Sequence, residues 1–316
     1  MTKILVTGGA GYLGSILCES LLSEHLFGTK YHVTVLDNLL YAQQSLFHLC
    51  ANPRFEFVLG DARDERLLRG LVKDADVLIP LAAVVGAPAC DRDPWLARSV
   101  NVDAVRLLDR LRSAGQLVIF PTTNSGYGMQ SGDVSCTEET PLEPISLYGR
   151  TKVEAEAALL DSGNVISLRL ATVFGMSPRI RLDLLVNHFV YAAVVDGYIV
   201  IFEKDFKRNY IHVRDVADCV VHCVENAALM AGRPYNAGLD SANLSKEELA
   251  LKVKEYVPNF YVHFAPIGTD PDKRNYVVSN QRLREAGFEA RRSLDDGIKE
   301  LLRGYRMMGR ARFANA

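Results

Sequence analysis

The sequence predicts an α/β fold built on a doubly wound parallel sheet, and three observations carry that prediction. Short unbroken apolar runs recur through the first half of the chain, helical periodicities separate most of them, and a glycine cluster stands directly between the first run and the first helix. Strands that read as continuous Val/Ile/Leu runs are buried on both faces, as in a parallel sheet covered by helices. The right-handed crossover rule then leaves the doubly wound arrangement as the economical topology.

Taken in order, Ile4-Leu5-Val6 is the first strand, and an amphipathic stretch through Leu17, Leu21 and Leu22 follows the glycines. Residues 33–36, 55–59, 77–79, 117–120 and 165–170 read as strands two to six, with helices over 97–111 and 148–160. After Phe174 the rhythm changes to a long helix (182–196), short strands, helices near 215–227 and 246–257, and two more towards the end. This division predicts a sheet domain over residues 1–175 and a smaller mixed α/β lobe over 176–316, their elements interleaved.

A chain of 316 residues with 48% hydrophobic and 23% charged residues can bury a sizeable core. With 36 basic against 38 acidic residues the net charge is −2, which supplies no field for wrapping nucleic acid. The six cysteines (Cys18, Cys50, Cys90, Cys136, Cys219 and Cys223) form no CxxC pair. Cys219 and Cys223, four apart on a predicted helix, read as buried small hydrophobes, and no metal site is expected. The chain enters its first strand at once and has no apolar run of membrane-spanning length, so a cytoplasmic protein without a membrane partner is the expectation.

Gly8, Gly11 and Gly14, with Tyr12 and Leu13 between them, occupy the turn from strand to helix. Gly8 permits the tight turn, Gly11 lets backbone approach a pyrophosphate, and Gly14 lets the helix pack closely on the sheet. The helix N-terminus adds free amides and a positive dipole end. Asp37 ends the second strand, where a carboxylate accepts hydrogen bonds from ribose hydroxyls and repels a 2′-phosphate. Asn38 and the two leucines after it bring no arginine to neutralise such a phosphate, so NAD is favoured over NADP. Asp61, with Ala62 after the third strand, either meets the adenine or caps the next helix.

Tyr148 and Lys152 stand four apart on one predicted helix and therefore share a face. A phenol of pKa about 10 is a poor base at neutral pH, and an adjacent ammonium stabilises the phenolate. The pair gains meaning from Thr123, a hydroxyl at the end of the fifth strand that can bond the same reacting oxygen.

With the glycine loop, Leu36-Asp37-Asn38, Gly60-Asp61, Leu81-Ala82-Ala83, Thr122 to Gly128, the Tyr148–Lys152 pair and Arg208 to Val213, the chain resembles the extended short-chain dehydrogenase/reductase family, in its nucleotide-sugar epimerase and dehydratase branch. The resemblance covers nearly the whole chain and implies a Rossmann-type sheet with a substrate lobe. It implies Thr123, Tyr148 and Lys152 as the catalytic triad, and Leu81, Ala82 and Ala83 as lining of the cofactor channel. Asn101 resembles an asparagine that steadies the sheet near the active site. Family dehydratases follow the threonine with an acidic pair, whereas this chain has Asn124 and Ser125, which hold no titratable proton near neutral pH. Elimination of water is therefore disfavoured, and Asn124 and Ser125 are read as substrate contacts. Cys90, near that edge of the sheet, is read as buried.

By the same resemblance, Arg208 and Arg274 clamp the diphosphate of a nucleotide-diphosphate sugar, a task that suits bidentate guanidinium groups. Asn187 resembles a residue that hydrogen-bonds the sugar phosphate, and its place in the predicted 182–196 helix equally allows a plain helix residue. Arg179 and Arg181 are further candidates, and His188 and His212 are structural. The 97–111 and 148–160 helices imply a homodimer. Three readings stay open: a 4-epimerase that regenerates its NAD within each turnover, a 4-keto-sugar reductase, and a non-catalytic NAD-binding scaffold.

Overall fold

The structure, a computed structural model, describes residues 1–23, 28–130, 135–268 and 275–308. Its centre is a seven-stranded sheet in which β1 (Thr2–Thr7) lies beside β2 (Tyr31–Asp37), and β2 beside β3 (Phe55–Leu59). On the other side of β1 come β4 (Val77–Pro80), β5 (Leu117–Thr123), then Val165–Leu170 and Arg233–Ala237. Every neighbouring pair is parallel. The six strands expected from sequence all form, and this is the Rossmann-type sheet the glycine loop required. The seventh strand, Arg233–Ala237, comes from beyond residue 175, so the two predicted domains share the sheet.

Alternate residues of each strand feed opposite cores, as a pleated strand dictates. Ile4, Val6, Val33, Val35, Ile79 and Ile119 pack with helix α1 (Tyr12–Leu22) and the helix Val213–Glu225. Leu5, Leu36, Leu78, Val118, Phe120 and Val165 pack beneath the helices Glu65–Lys73, Ala104–Leu111 and Leu147–Ser162. β3 is the exposed edge, with Phe57 and Leu59 open to solvent.

Two helices depart from their predicted regularity. Within 97–111 the residues Ser99–Asp103 form a π-helical turn, and the predicted 182–196 helix is Leu185–Tyr191 continued by a second π-helical stretch, Ala192–Asp196. The first bulge has a visible cause. Asn101 accepts the Val84 N–H at 2.8 Å and donates to Val84 O at 2.9 Å and to Thr151 Oγ1 at 3.1 Å. Wider winding turns that amide inward, where it bonds both backbone polar groups of Val84.

Candidate active site

A cleft of about 570 Å³ runs across the carboxyl ends of β1, β2, β4, β5 and Val165–Leu170. It lies over the point where the chain, having gone outward from β1 to β3, returns to add β4 on the other side. That switch point is where open α/β sheets bind ligands.

The glycine loop forms one end of the cleft. Gly8 has φ +72°, and a Cβ there would meet Ala82 N at 2.5 Å, so both conformation and space demand glycine. Gly14 departs from its predicted role. A Cβ on it would strike Gly9 Cα and O at 2.6 Å, so α1 closes against the loop's own backbone rather than against the sheet. The contact with the sheet belongs to Gly9, whose Cβ would meet Val35.

Asp37 is buried at the end of β2, its carboxylate accepting the Ala10 N–H at 3.0 Å and the Leu39 N–H at 2.8 Å. Burial raises its pKa while those backbone donors pull it down. Asp61 does not cap the following helix; Asp64 does, accepting from Leu67 N. Asp61 instead takes a forked pair from Arg63, at 2.9 and 2.7 Å, which holds its pKa below the usual carboxylate range. Arg63 also lines the cleft, and a guanidinium two residues after Asp61 was the sequence signal for it.

Further along the cleft, Ser146 caps the helix Leu147–Ser162 by accepting from Gly149 N. This starts the helix one residue before Tyr148 and presents Tyr148 and Lys152 together in the cleft wall. Lys152 is 5% exposed, its Nζ 3.9 Å from the centre of the Phe120 ring. Burial drives its pKa from 10.5 down to about 7, against the pull of Glu156 in the other direction. Thr151, between them, donates to Tyr148 O and receives Asn101, so the π-turn braces the helix at this point.

Thr123 closes β5. Its hydroxyl donates to Ser125 Oγ at 2.8 Å and accepts the Ser125 N–H at 3.1 Å, capping a short 3₁₀ turn, Asn124–Tyr127. The turn puts Ser125 in the cleft wall and leaves Asn124 out of it. Asn124 is 1% exposed, and its amide has no hydrogen-bond partner among the described residues. The Oγ1 of Thr122 is likewise buried without a partner, and Thr122 does line the cleft.

Tyr12, Leu13, Asn38, Ala62 and Leu81 to Ala83 all line the cleft, as does Arg208, 3% exposed on the strand Lys207–His212. Asn187 does not. It accepts from Gly175 N at 3.0 Å and donates to Arg181 O at 2.9 Å, bracing the crossing loop. Arg274 lies outside the described residues. Arg179 and Arg181 reach the cleft, and so does Lys246, which no local pattern had marked. His188 and His212 are outside the cleft wall, His212 capping the helix Val213–Glu225 and bonded to Glu300. Cys90 is buried and points its thiol at Val84 O. Among the described residues no group of three or more His, Cys, Asp or Glu is placed to hold a metal ion, and no helix is long and apolar enough to cross a membrane.

The sequence matches the family model described as the NAD dependent epimerase/dehydratase family over residues 4–238. It is 30% identical over 324 residues to the dTDP-glucose 4,6-dehydratase of an Actinoplanes species, covering 96% of this chain and 98% of that one. It is 28% identical over 331 residues to UDP-arabinose 4-epimerase 1 of Arabidopsis thaliana, covering 90% of this chain and 78% of that one. Among solved structures, a dTDP-glucose 4,6-dehydratase of Streptomyces venezuelae with NAD bound superposes with a TM-score of 0.84 at 25% identity, covering 97% of both chains.

Proposed function

The chain belongs to the NAD-dependent epimerase/dehydratase family, and on that premise we propose that it is a nucleotide-sugar 4-epimerase acting through Thr123, Tyr148 and Lys152. The cleft suits a dinucleotide: Gly8 leaves no room for a Cβ where backbone must come close, and Asp37 stands at the ribose end. When bound, NAD supplies a reversible hydride acceptor. Tyr148 as phenolate takes the proton of the C4 hydroxyl, and Thr123 hydrogen-bonds the same oxygen. Lys152, in the same cleft wall as Tyr148, would hold the nicotinamide ribose. With NAD bound, a site of this kind would invert C4 with no net oxidation of the sugar, and Tyr148 would give back at the C4 oxygen the proton it took.

Overall similarity does not separate epimerisation from dehydration, because relatives of both kinds are equally near. One observation carries the choice. Among the described residues, the carboxylates lining the cleft are Asp37 and Asp61 at the adenosine end and Asp183, which is paired with Arg181. No Glu, His or Cys joins them in the wall. Eliminating water requires an acid for the leaving hydroxyl and a base for the proton beside the ketone. Beside Thr123 stand Asn124 and Ser125, which do neither.

The test is product analysis by NMR on UDP- and dTDP-hexoses. C4-inverted sugar supports the proposal, and a 4-keto-6-deoxy product overturns it. Denaturing the purified protein should release NAD close to one per chain, as retention between turnovers requires; an empty site that consumes added cofactor indicates the reductase. Tyr148→Phe should lower turnover by about 10²–10⁴-fold and spare NAD binding. The reading includes a homodimer through the Ala104–Leu111 and Leu147–Ser162 helices, and a monomeric mass in light scattering would remove that part.

A further inference from the structure

The loop that leaves the central sheet after Val165–Leu170 is stitched to the first turn of α1. Tyr12 donates its hydroxyl to Gly175 O at 2.7 Å. Ser177 Oγ donates to Tyr12 O at 2.7 Å, lies 3.0 Å from Ser15 Oγ, and accepts the Arg179 N–H at 3.3 Å. From the opposite side, the segment after β2 is tied to the glycine loop. Ser45 donates to Ala10 O at 2.7 Å, and Gln43 Nε2 to Asp37 at 3.3 Å. The two loops meet where the Arg179 guanidinium lies over the Tyr41 ring, 5.0 Å from its centre. Both residues line the cleft, and Arg179 is 8% exposed.

The glycine loop by itself offers a diphosphate neutral amides and about half a positive charge from the helix end. Building on the cofactor assignment made above, we propose that Arg179 is a cofactor-binding residue whose guanidinium, backed by Tyr41, closes over the diphosphate of the dinucleotide. A planar, bidentate donor suits that group.

Three features select this diphosphate over that of the sugar nucleotide. Arg179 sits two residues from Ser177, which is bonded to the very turn whose amides face the cofactor. Arg179 donates one Nη1 hydrogen bond to a backbone carbonyl, Ile180 O, at 2.5 Å, whereas its neighbour Arg181 is paired with a carboxylate, Asp183, through two contacts, at 3.2 and 2.5 Å. Arg208, assigned to the sugar diphosphate, comes from a different element, the strand Lys207–His212. Burial, together with the charge of Arg181, lowers the pKa of Arg179, so an anion arriving there relieves a cost the folded protein already carries. The stack with Tyr41 holds the long side chain across the cleft before the ligand arrives, which reduces the ordering cost of binding.

Isothermal titration of nucleotide-free protein with NAD, UDP and dTDP at two salt concentrations tests this. Arg179→Met should weaken NAD binding about tenfold to a hundredfold and flatten its salt dependence, with UDP and dTDP affinity unchanged. Arg179→Lys, which keeps the buried charge and guards against a folding defect, should fall between wild type and Arg179→Met. Tyr41→Leu, at a half-exposed position, should raise the NAD dissociation rate. Equal NAD affinity in wild type and both arginine variants overturns the proposal, and so does a loss confined to UDP or dTDP. If wild-type protein binds no NAD, the cofactor assignment beneath it fails instead.

Discussion

Replacing Lys152 by methionine should stabilise the cofactor-free protein while abolishing its chemistry. The ammonium is buried against Phe120, and its pKa falls from 10.5 to about 7. At about 1.4 kcal/mol per pH unit, the charged form is about 5 kcal/mol worse off in the folded protein than in the unfolded chain. That cost is fully present below pH 7. Between pH 7 and 10.5 the unfolded chain binds the proton more than the folded one does, so this lysine makes wild-type stability rise with pH across that window. By pH 9 the cost is about 2 kcal/mol. The Phe120 contact returns about 1–2 kcal/mol of it. Methionine matches the lysine stem in length, and Glu156 keeps its bonds to Ser167 and Arg169, so the substitution leaves no buried charge unpaired. A net gain of about 3 kcal/mol at pH 7 raises Tm by about 4–5 °C for a chain of this size, shrinking to about 1 °C at pH 9. Differential scanning calorimetry of nucleotide-stripped protein at the two pH values measures both. A variant that melts below wild type at pH 7, or a gap that does not narrow at pH 9, refutes the reasoning.

Asn101→Ala should cost about 2 kcal/mol in urea unfolding, because it strands the N–H of Val84 and leaves its C=O with the Cys90 thiol alone; a loss under about 1 kcal/mol would show that the π-turn relaxes to satisfy the N–H. Asp37→Ala should weaken NAD by about tenfold and narrow the preference for NAD over NADP, measured by titration with both; an unchanged preference would locate the discrimination elsewhere.

Where one residue's chemistry dictated its surroundings, the sequence was readable. An unbroken run such as 165–170 has to be covered on both faces, and it is. A glycine between strand and helix had to lie near a cradle, and Gly8 does. The departures from expectation fall where a local pattern leaves a residue's placement to packing. Asn124 and Asn187 look alike as polar residues near the site, but the hydroxyl of Thr123 wound the chain so that one turned away, and the crossing loop needed the other as a brace. Apolar periodicity also could not disclose the bulge at Ser99–Asp103, since what widens that turn is a distant backbone amide at Val84. Arg233–Ala237 is too short and too polar to announce a central-sheet strand, and its place was set by the open edge beside it.

That borrowed strand has a consequence for how the chain is made. Until residue 237 has left the ribosome, the wholly buried strand Val165–Leu170 has no neighbour on one side, and α1 lacks the Val213–Glu225 helix that covers it. A nascent or truncated product ending near residue 175 therefore displays a sticky apolar border, the kind of surface that recruits chaperones or clumps. The two halves cannot be exchanged with a homologue's as independent cassettes, and a productive splice would have to fall after the sheet is complete.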